Sequence, residues 1–149
     1  MIDISKIRLS IVVSEFNNMI TDSLKDSAIG YFIDNGGDRS KVNIHSVPGA
    51  FEIPGVVSKL IKNNKADIVV ALGCIIKGET PHFDYIATET SRALMRMIVD
   101  SDIPIGFGVL TTNDMQQAID RSKSDDTNKG REAMHAAFEL YKTYKGISI

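Results

Sequence analysis

The sequence feature that most constrains the fold is an uncharged apolar run from residue 68 to residue 76, which begins Ile-Val-Val-Ala-Leu. The run is much shorter than the ~20 residues that a membrane-spanning helix needs, so it does not predict a membrane segment. Nearly continuous aliphatic residues over 68–72 are instead typical of a central strand that is buried on both faces of a parallel sheet. The run therefore predicts an α/β protein in which helices cover both faces of the sheet.

The rest of the chain alternates strand-like runs with segments of helical periodicity. Three more strands are predicted, at residues 9–13, 42–47 and 105–110. Helices are predicted at residues 21–35, after Pro54, at residues 83–100 and 114–121, and in a last segment that ends near residue 144. This alternation implies right-handed crossovers and one four-stranded parallel sheet. The length of 149 residues predicts a single domain.

Charge and cysteine content exclude several classes of function. The chain has 17 basic and 19 acidic residues, so a net charge of −2 makes it a poor general binder of nucleic acid. The single cysteine, Cys74, cannot form a disulfide within the chain. The N-terminal segment carries Asp3 early and has no small-residue cleavage site, so we predict no secretory signal and expect a cytoplasmic protein without membrane partners.

In open parallel sheets, ligands bind outside the carboxyl ends of the strands. This rule directs attention to four predicted loops, at residues 14–18, 48–52, 73–84 and 111–114. It gives a location for a site but no chemistry.

The loop over residues 73–84 contains the most reactive groups. Its glycines, including Gly78, allow close backbone approach, and Thr80 precedes a helix start, where the helix dipole favours an anion. His82 at that start is suited to move protons near neutral pH. Two interpretations remain open for His82, a general acid–base or a polar helix cap. Asp84 is better explained as a first-turn acid that complements the helix dipole than as a partner of the imidazole.

Two further loops offer aromatic side chains. In the loop over residues 48–52, Phe51 is either a stacking residue or part of the core, and Glu52 is suited to accept hydrogen bonds from a polyol. Spacing alone favours a structural turn there. Phe16 follows the first strand, and it is either a platform for a heteroaromatic ring or a core residue.

The segment over residues 120–132 mixes four basic with four acidic residues, which is typical of a solvated face and not of a nucleic-acid patch. Within it, Arg121 at the end of one helix is suited to bind a phosphate through two hydrogen bonds, and Lys129 opens the next helix.

Several chemistries lack their motifs. The chain has no GxGxxG, no GxxxxGK[ST] and no GxSxG sequence. Its three histidines, His45, His82 and His135, are far apart and without metal-ligand spacing, so no metal site is expected. His45 and His135 are predicted to be structural or interface residues, and Cys74 a small residue at a strand end.

Ordered blocks of residues nevertheless resemble one family, lumazine synthase, over about residues 7–144. The blocks are Phe16-Asn17, Pro-Gly-Ala-Phe-Glu-Ile-Pro at residues 48–54, residues 78–85 around His82, residues 107–112, Gln117-Ala118-Ile119 with Arg121, and Asn128-Lys129-Gly130. The resemblance implies a flavodoxin-like, three-layer fold. It also implies condensation of 5-amino-6-ribitylaminouracil with 3,4-dihydroxy-2-butanone 4-phosphate, the penultimate step of riboflavin synthesis, without cofactor or metal.

The resemblance further implies a role for each matching residue. Phe16 would stack on the pyrimidine, and His82 would be the general acid–base. The other substrate contacts would come from Ala50, Phe51 and Glu52 around the ring and ribityl chain, from Lys77 and Gly78 in the lining of the site, and from Glu79, Thr80, Arg121 and Lys129 around the phosphate. Phe107 would be a wall supplied by a neighbouring subunit, because sites in this family lie between the subunits of a homopentamer.

Two departures from the family pattern qualify this picture. Ser14-Glu15 precede Phe16, where many members carry an arginine. Residues 123–127 replace the Gly-rich basic stretch of capsid-forming members, which favours a free pentamer over an icosahedral shell. The alternatives within the same fold are an archaeal-type riboflavin synthase, a flavin-binding protein and a shell protein.

Overall fold

The computed structural model describes residues 2–148 and contains four parallel strands between two layers of helices. The strands are β1 (Leu9–Ser14), β2 (Val42–Val47), β3 (Ile68–Ile76) and β4 (Ile105–Thr112). The helices are α1 (Asn18–Asp34), α2 (Ile53–Lys62), α3 (His82–Asp100), α4 (Met115–Arg121) and α5 (Lys129–Ile147). Short 3₁₀ turns occupy Ile4–Lys6, Arg39–Lys41 and Ala50–Glu52. The order β2-β1-β3-β4 confirms the predicted α/β class.

Strand β3 divides the core into two layers, as its apolar run predicts. Val70 and Leu72 face the layer that contains α1 and α5, whereas Val69 and Ala71 face the layer that contains α2 and α3. Successive side chains of a strand point to opposite faces, so a strand covered on both sides must be apolar throughout. All four of these side chains are fully buried.

Several element boundaries differ from the prediction. Strand β4 continues to Thr112 and helix α5 to Ile147, and the differences at α1 and β3 have an evident cause. Helix α1 begins at Asn18 and not at residue 21, because Asn17 adopts a left-handed conformation with φ 59° that turns the chain directly into the helix. Strand β3 continues to Ile76 and does not end at residue 72, because its last residues pair with the end of β4. Gly73 lies within this strand, where an added Cβ would approach Ser14 Oγ at 3.1 Å and Ile53 Cδ1 at 3.2 Å.

Arg8 and Asp67 join the beginnings of β1 and β3. The backbone N–H of Arg8 donates to Asp67 Oδ2 at 2.8 Å, and its guanidinium donates to Oδ2 at 3.2 Å and to Oδ1 at 3.0 Å. Burial raises the pKa of Asp67, but the hydrogen bonds from Arg8 outweigh it and hold the pKa below its usual value. The charged carboxylate therefore stabilises the fold.

Replacing Asp67 by asparagine should lower the free energy of unfolding by about 1 kcal/mol at pH 7, the range of a partly exposed ion pair. Because the folded pKa of Asp67 is depressed, its contribution is present above the unfolded pKa of about 4 and is lost as the pH falls through the folded value. Urea unfolding at pH 7, 5 and 3 should show the difference shrinking with acid. Asp22→Asn, which removes a more exposed carboxylate paired with Lys25, is the control. A difference that stays constant with pH would contradict this assignment.

Candidate active site

A cavity of about 860 Å³ opens at the carboxyl ends of β1, β2 and β3, where the topology places ligand sites. We call it the aromatic cavity. It is lined by Phe16, Pro48, Gly49, Ala50, Phe51, Glu52, Cys74, Ile75, Ile76, Gly78, Thr80, His82, Phe83, Tyr85 and Ile86. Seven of the residues predicted from sequence therefore share one cavity: Phe16, Ala50, Phe51, Glu52, Gly78, Thr80 and His82.

Phe16 is held at the rim of this cavity by its backbone. Its N–H donates to Pro48 O at 3.0 Å, and the Nδ2 of the next residue, Asn17, donates to Cys74 O at 3.2 Å. Phe16 is 70% exposed, so its interpretation as a core residue is wrong. An exposed aromatic ring on a fixed backbone is a suitable platform for a planar ligand.

The turn at Ala50–Glu52 is locked by its own carboxylate. Glu52 Oε1 accepts from the N–H of Gly49 at 3.0 Å, and the N–H of Glu52 donates to Gly49 O at 3.2 Å. The Glu52 carboxylate retains its second oxygen for a ligand. Phe51 is 55% exposed, so the alternative that places it in the core is also wrong.

His82 is the first residue of α3 and is exposed to solvent. The backbone N–H of His82 donates to Thr80 Oγ1 at 3.4 Å, which makes a long and weak helix cap. Asp84 makes no hydrogen bond to His82 within the described chain, which agrees with its interpretation as a first-turn acid. Burial raises the pKa of the Cys74 thiol to about 11, so the thiol stays protonated at neutral pH and is not a nucleophile there.

Sequence reasoning missed part of the cavity wall. Phe83, Tyr85 and Ile86 line it together with His82. For Tyr85 and Ile86 the available signal was helical periodicity from His82, since residues three and four apart lie on one face of a helix. Lys77 and Glu79, by contrast, have exposed side chains outside the cavity lining, although the N–H of Lys77 extends the β3–β4 pairing to Thr112 O at 2.8 Å.

A second cleft of about 410 Å³ runs along the edge strand β4, beside α4 and α5. We call it the basic cleft. It is lined by Phe107, Gly108, Val109, Leu110, Thr111, Arg121, Lys129, Glu132, Ala133 and Ala136. The remaining three predicted residues, Phe107, Arg121 and Lys129, lie here, and the two linings share no residue. One chain therefore does not bring Arg121 and His82 into the same pocket.

The loop between α4 and α5 fixes the cations of the basic cleft. Asn128 is fully buried, and its Oδ1 accepts from the N–H groups of Gly130 at 2.8 Å and Arg131 at 3.2 Å. Its Nδ2 donates to Lys123 O at 2.9 Å. Lys129 is thereby placed at the first position of α5. Arg121 Nη1 donates to Gln117 O at 3.0 Å and leaves its other donors to a ligand.

Residues 2–148 contain neither a metal-binding cluster nor a membrane-spanning helix. No group of three or more His, Cys, Asp or Glu side chains is arranged to hold a metal ion. No helix in that range is both long and apolar enough to cross a bilayer.

Comparison with known proteins gives one consistent match. A family model described as 6,7-dimethyl-8-ribityllumazine synthase matches residues 6–145. The chain is 42% identical over 142 residues to the 6,7-dimethyl-8-ribityllumazine synthase of Campylobacter hominis, which covers 95% of this chain and 91% of the relative. The protein of the same name from Helicobacter acinonychis is 43% identical over 142 residues, which cover 93% of this chain and 91% of the relative. The one from Nautilia profundicola is 41% identical over 140 residues, which cover 94% of this chain and 91% of the relative.

Proposed function

The chain belongs to the 6,7-dimethyl-8-ribityllumazine synthase family, and from that membership we infer that it is a transferase of riboflavin biosynthesis. It condenses 5-amino-6-ribitylaminouracil with 3,4-dihydroxy-2-butanone 4-phosphate. The products are 6,7-dimethyl-8-ribityllumazine and inorganic phosphate. The aromatic cavity and the basic cleft supply groups suited to the two halves of this reaction.

We assign the pyrimidine substrate to the aromatic cavity. Phe16 stacks on the pyrimidine ring, while the backbone of Ala50–Glu52 and the free oxygen of Glu52 bind polar atoms of the ring and the ribityl chain. Phe51 and Gly78 complete the walls, and Lys77 and Glu79 close the site from its rim. Thr80, at the start of α3, faces the phosphorylated substrate.

His82 is the proton-transfer group in this proposal. Attack of the pyrimidine amine on the butanone carbonyl gives a carbinolamine, which loses water to form a Schiff base. Each step moves a proton, and the exposed imidazole at the rim of the cavity is placed to accept and return it. The same group serves the later proton transfers that accompany loss of phosphate and ring closure.

In this proposal the complete site is formed by two copies of the chain. The separation of the two pockets on one chain supports this arrangement. Arg121 and Lys129 bind the phosphate, and Phe107 covers the bound ring, all three from the subunit next to the one that supplies His82. A head-to-tail contact of cavity to cleft forms a ring when the rotation between neighbouring subunits closes, and we propose that it closes as a homopentamer. Large exposed apolar side chains at both pockets support this contact, among them Phe16, Phe51, Tyr85 and Phe107.

We further propose that the chain forms a single domain and a free pentamer in the cytoplasm, where small polar metabolites are processed. The loop over residues 123–127 is held in one compact arrangement by Asp125, which accepts from the N–H of Thr127 at 2.8 Å. Its polar sequence favours a pentamer that does not assemble into a shell. A native mass near that of five 16.4-kDa chains supports the proposal, and a mass near that of a shell contradicts it.

One assay tests the proposed reaction against its rivals. The protein is mixed with both substrates, and lumazine absorbance and phosphate release are followed; it is then offered lumazine alone, and riboflavin is sought. We expect lumazine and phosphate in equal amounts and no riboflavin. Riboflavin formation would identify a riboflavin synthase, and no lumazine above the uncatalysed rate would contradict the proposal.

A further inference from the structure

Glu132 is the one acidic side chain in the lining of the basic cleft as the described residues form it. Its Oε2 lies 2.9 Å from Nζ of Lys129. Arg121, in contrast, donates to the carbonyl oxygen of Gln117 and pairs with no carboxylate of residues 2–148. The cleft lining therefore carries two positive charges and one negative charge.

The neighbouring cation Arg131 does not add to this charge. Its Nε lies 3.7 Å from Asp126, and its guanidinium carbon lies 5.0 Å from the centre of the Tyr31 ring, in a different groove of the surface. Glu132 therefore opposes the only two cations that line the described cleft.

We propose that Glu132 limits the affinity of the basic cleft for phosphate and so allows the phosphate product to leave. This inference rests on the proposed function, which brings a phosphate ester to the cleft and releases inorganic phosphate from it. A cleft with Arg121 and Lys129 alone would bind a phosphate dianion tightly in substrate and product alike, which does not accelerate the chemistry. Glu132 repels the dianion and competes with it for Lys129.

A purely structural role for Glu132 makes the opposite prediction. If the carboxylate served to hold Lys129 in place, its removal would loosen the ammonium group and weaken phosphate binding. The pair is three residues apart on one helix, and its side chains are 43% and 51% exposed, so it restrains Lys129 only weakly. The direction of the change in phosphate affinity therefore separates the two roles.

The test measures binding of inorganic phosphate to the assembled protein by titration calorimetry at constant ionic strength. Glu132→Gln removes the negative charge but keeps the side-chain length and one oxygen that can accept from Lys129. Glu132→Ala removes the charge and that oxygen as well. Both variants should lower the Kd for phosphate by about three- to tenfold. Glu132→Asp keeps the charge and should stay within about twofold of the unaltered protein. Glu139→Gln, which breaks a similar pair with Lys142 outside the cleft, should also leave the Kd unchanged.

An unchanged or higher Kd in Glu132→Gln and Glu132→Ala would overturn the inference. Equal tightening in Glu139→Gln would overturn it too, because net charge would then be the cause. The inference would also be overturned if no sample bound phosphate although the unaltered protein forms lumazine. Lumazine formation is assayed on the same samples, so an inactive unaltered protein reports failure of the proposed function and not of the role of Glu132.

Discussion

His82→Ala is expected to lower kcat by about 10²- to 10⁴-fold, the usual contribution of a general acid–base, and to leave measurable residual activity. Residual activity is expected because most of the rate acceleration comes from a source other than acid–base catalysis. Holding two substrates side by side lowers a barrier by about 7–11 kcal/mol through effective molarity alone. In the proposed mechanism, the other residues of the aromatic cavity and those of the basic cleft perform that task.

The control for this variant is His135→Ala. His135 Nδ1 lies 2.6 Å from the Tyr31 hydroxyl on the surface of α5, and it lines neither pocket. It should retain close to full activity. Steady-state kinetics on proteins of confirmed pentameric mass decide the matter. Activity at background level in a pentameric His82→Ala protein would show that His82 contributes more than acid–base catalysis, and full activity would remove it from the mechanism.

Gly130→Ala is expected to have the largest effect on stability, about 3 kcal/mol or more off the free energy of unfolding. An added Cβ would overlap the carbonyl oxygen of Leu24 and would lie 2.6 Å from its carbonyl carbon and 2.7 Å from its Cα. These are backbone atoms of α1, so a side-chain rotation cannot relieve the contact. The start of α5 must move away from α1, and Lys129 moves with it.

Gly146→Ala is the matched control, since it lies in the same helix with no atom within 4 Å of its added Cβ. Alanine favours a helix more than glycine does, so this variant should lose no stability. Urea unfolding of the two variants beside the unaltered protein gives the comparison. A Gly130→Ala protein as stable as Gly146→Ala would show that α1 and α5 are not packed as closely as described.

Strong periodic signals made most of the fold predictable. The apolar run at 68–72 and the alternation around it gave the class and order of the elements, and the glycines at 36 and 37 agree with the end of α1 at Asp34. The errors lie where long-range contacts decide a boundary. Pairing with β4 extends β3 to Ile76, and the left-handed Asn17 starts α1 early. Neither effect has a local sequence pattern of its own.

The candidate site was predictable at the level of loops but not of pockets. Spacing placed Phe16 and Phe51 at carboxyl strand ends, yet it left open whether they are buried, which depends on neighbours distant in sequence. Tyr85 lines the cavity because it lies one turn beyond His82 on α3, and no motif of its own marks that position. Residue spacing gives no signal for the separation of Arg121 from His82, because that separation depends on β4 being the edge strand of the sheet. Only the family resemblance implied a site between subunits.

Mixed rings of two impaired variants test most directly whether each active site is shared between two subunits. His82→Ala and Arg121→Ala, carrying different tags, are co-expressed in equal amounts, and doubly tagged rings are assayed for lumazine. In random rings about a quarter of the sites combine an intact aromatic cavity with an intact basic cleft, so activity should rise to about a quarter of the unaltered level. Mixing His82→Ala with Phe16→Ala, both in the aromatic cavity, should restore nothing. Activity of the first mixture no higher than the mean of its two parents would contradict the shared site.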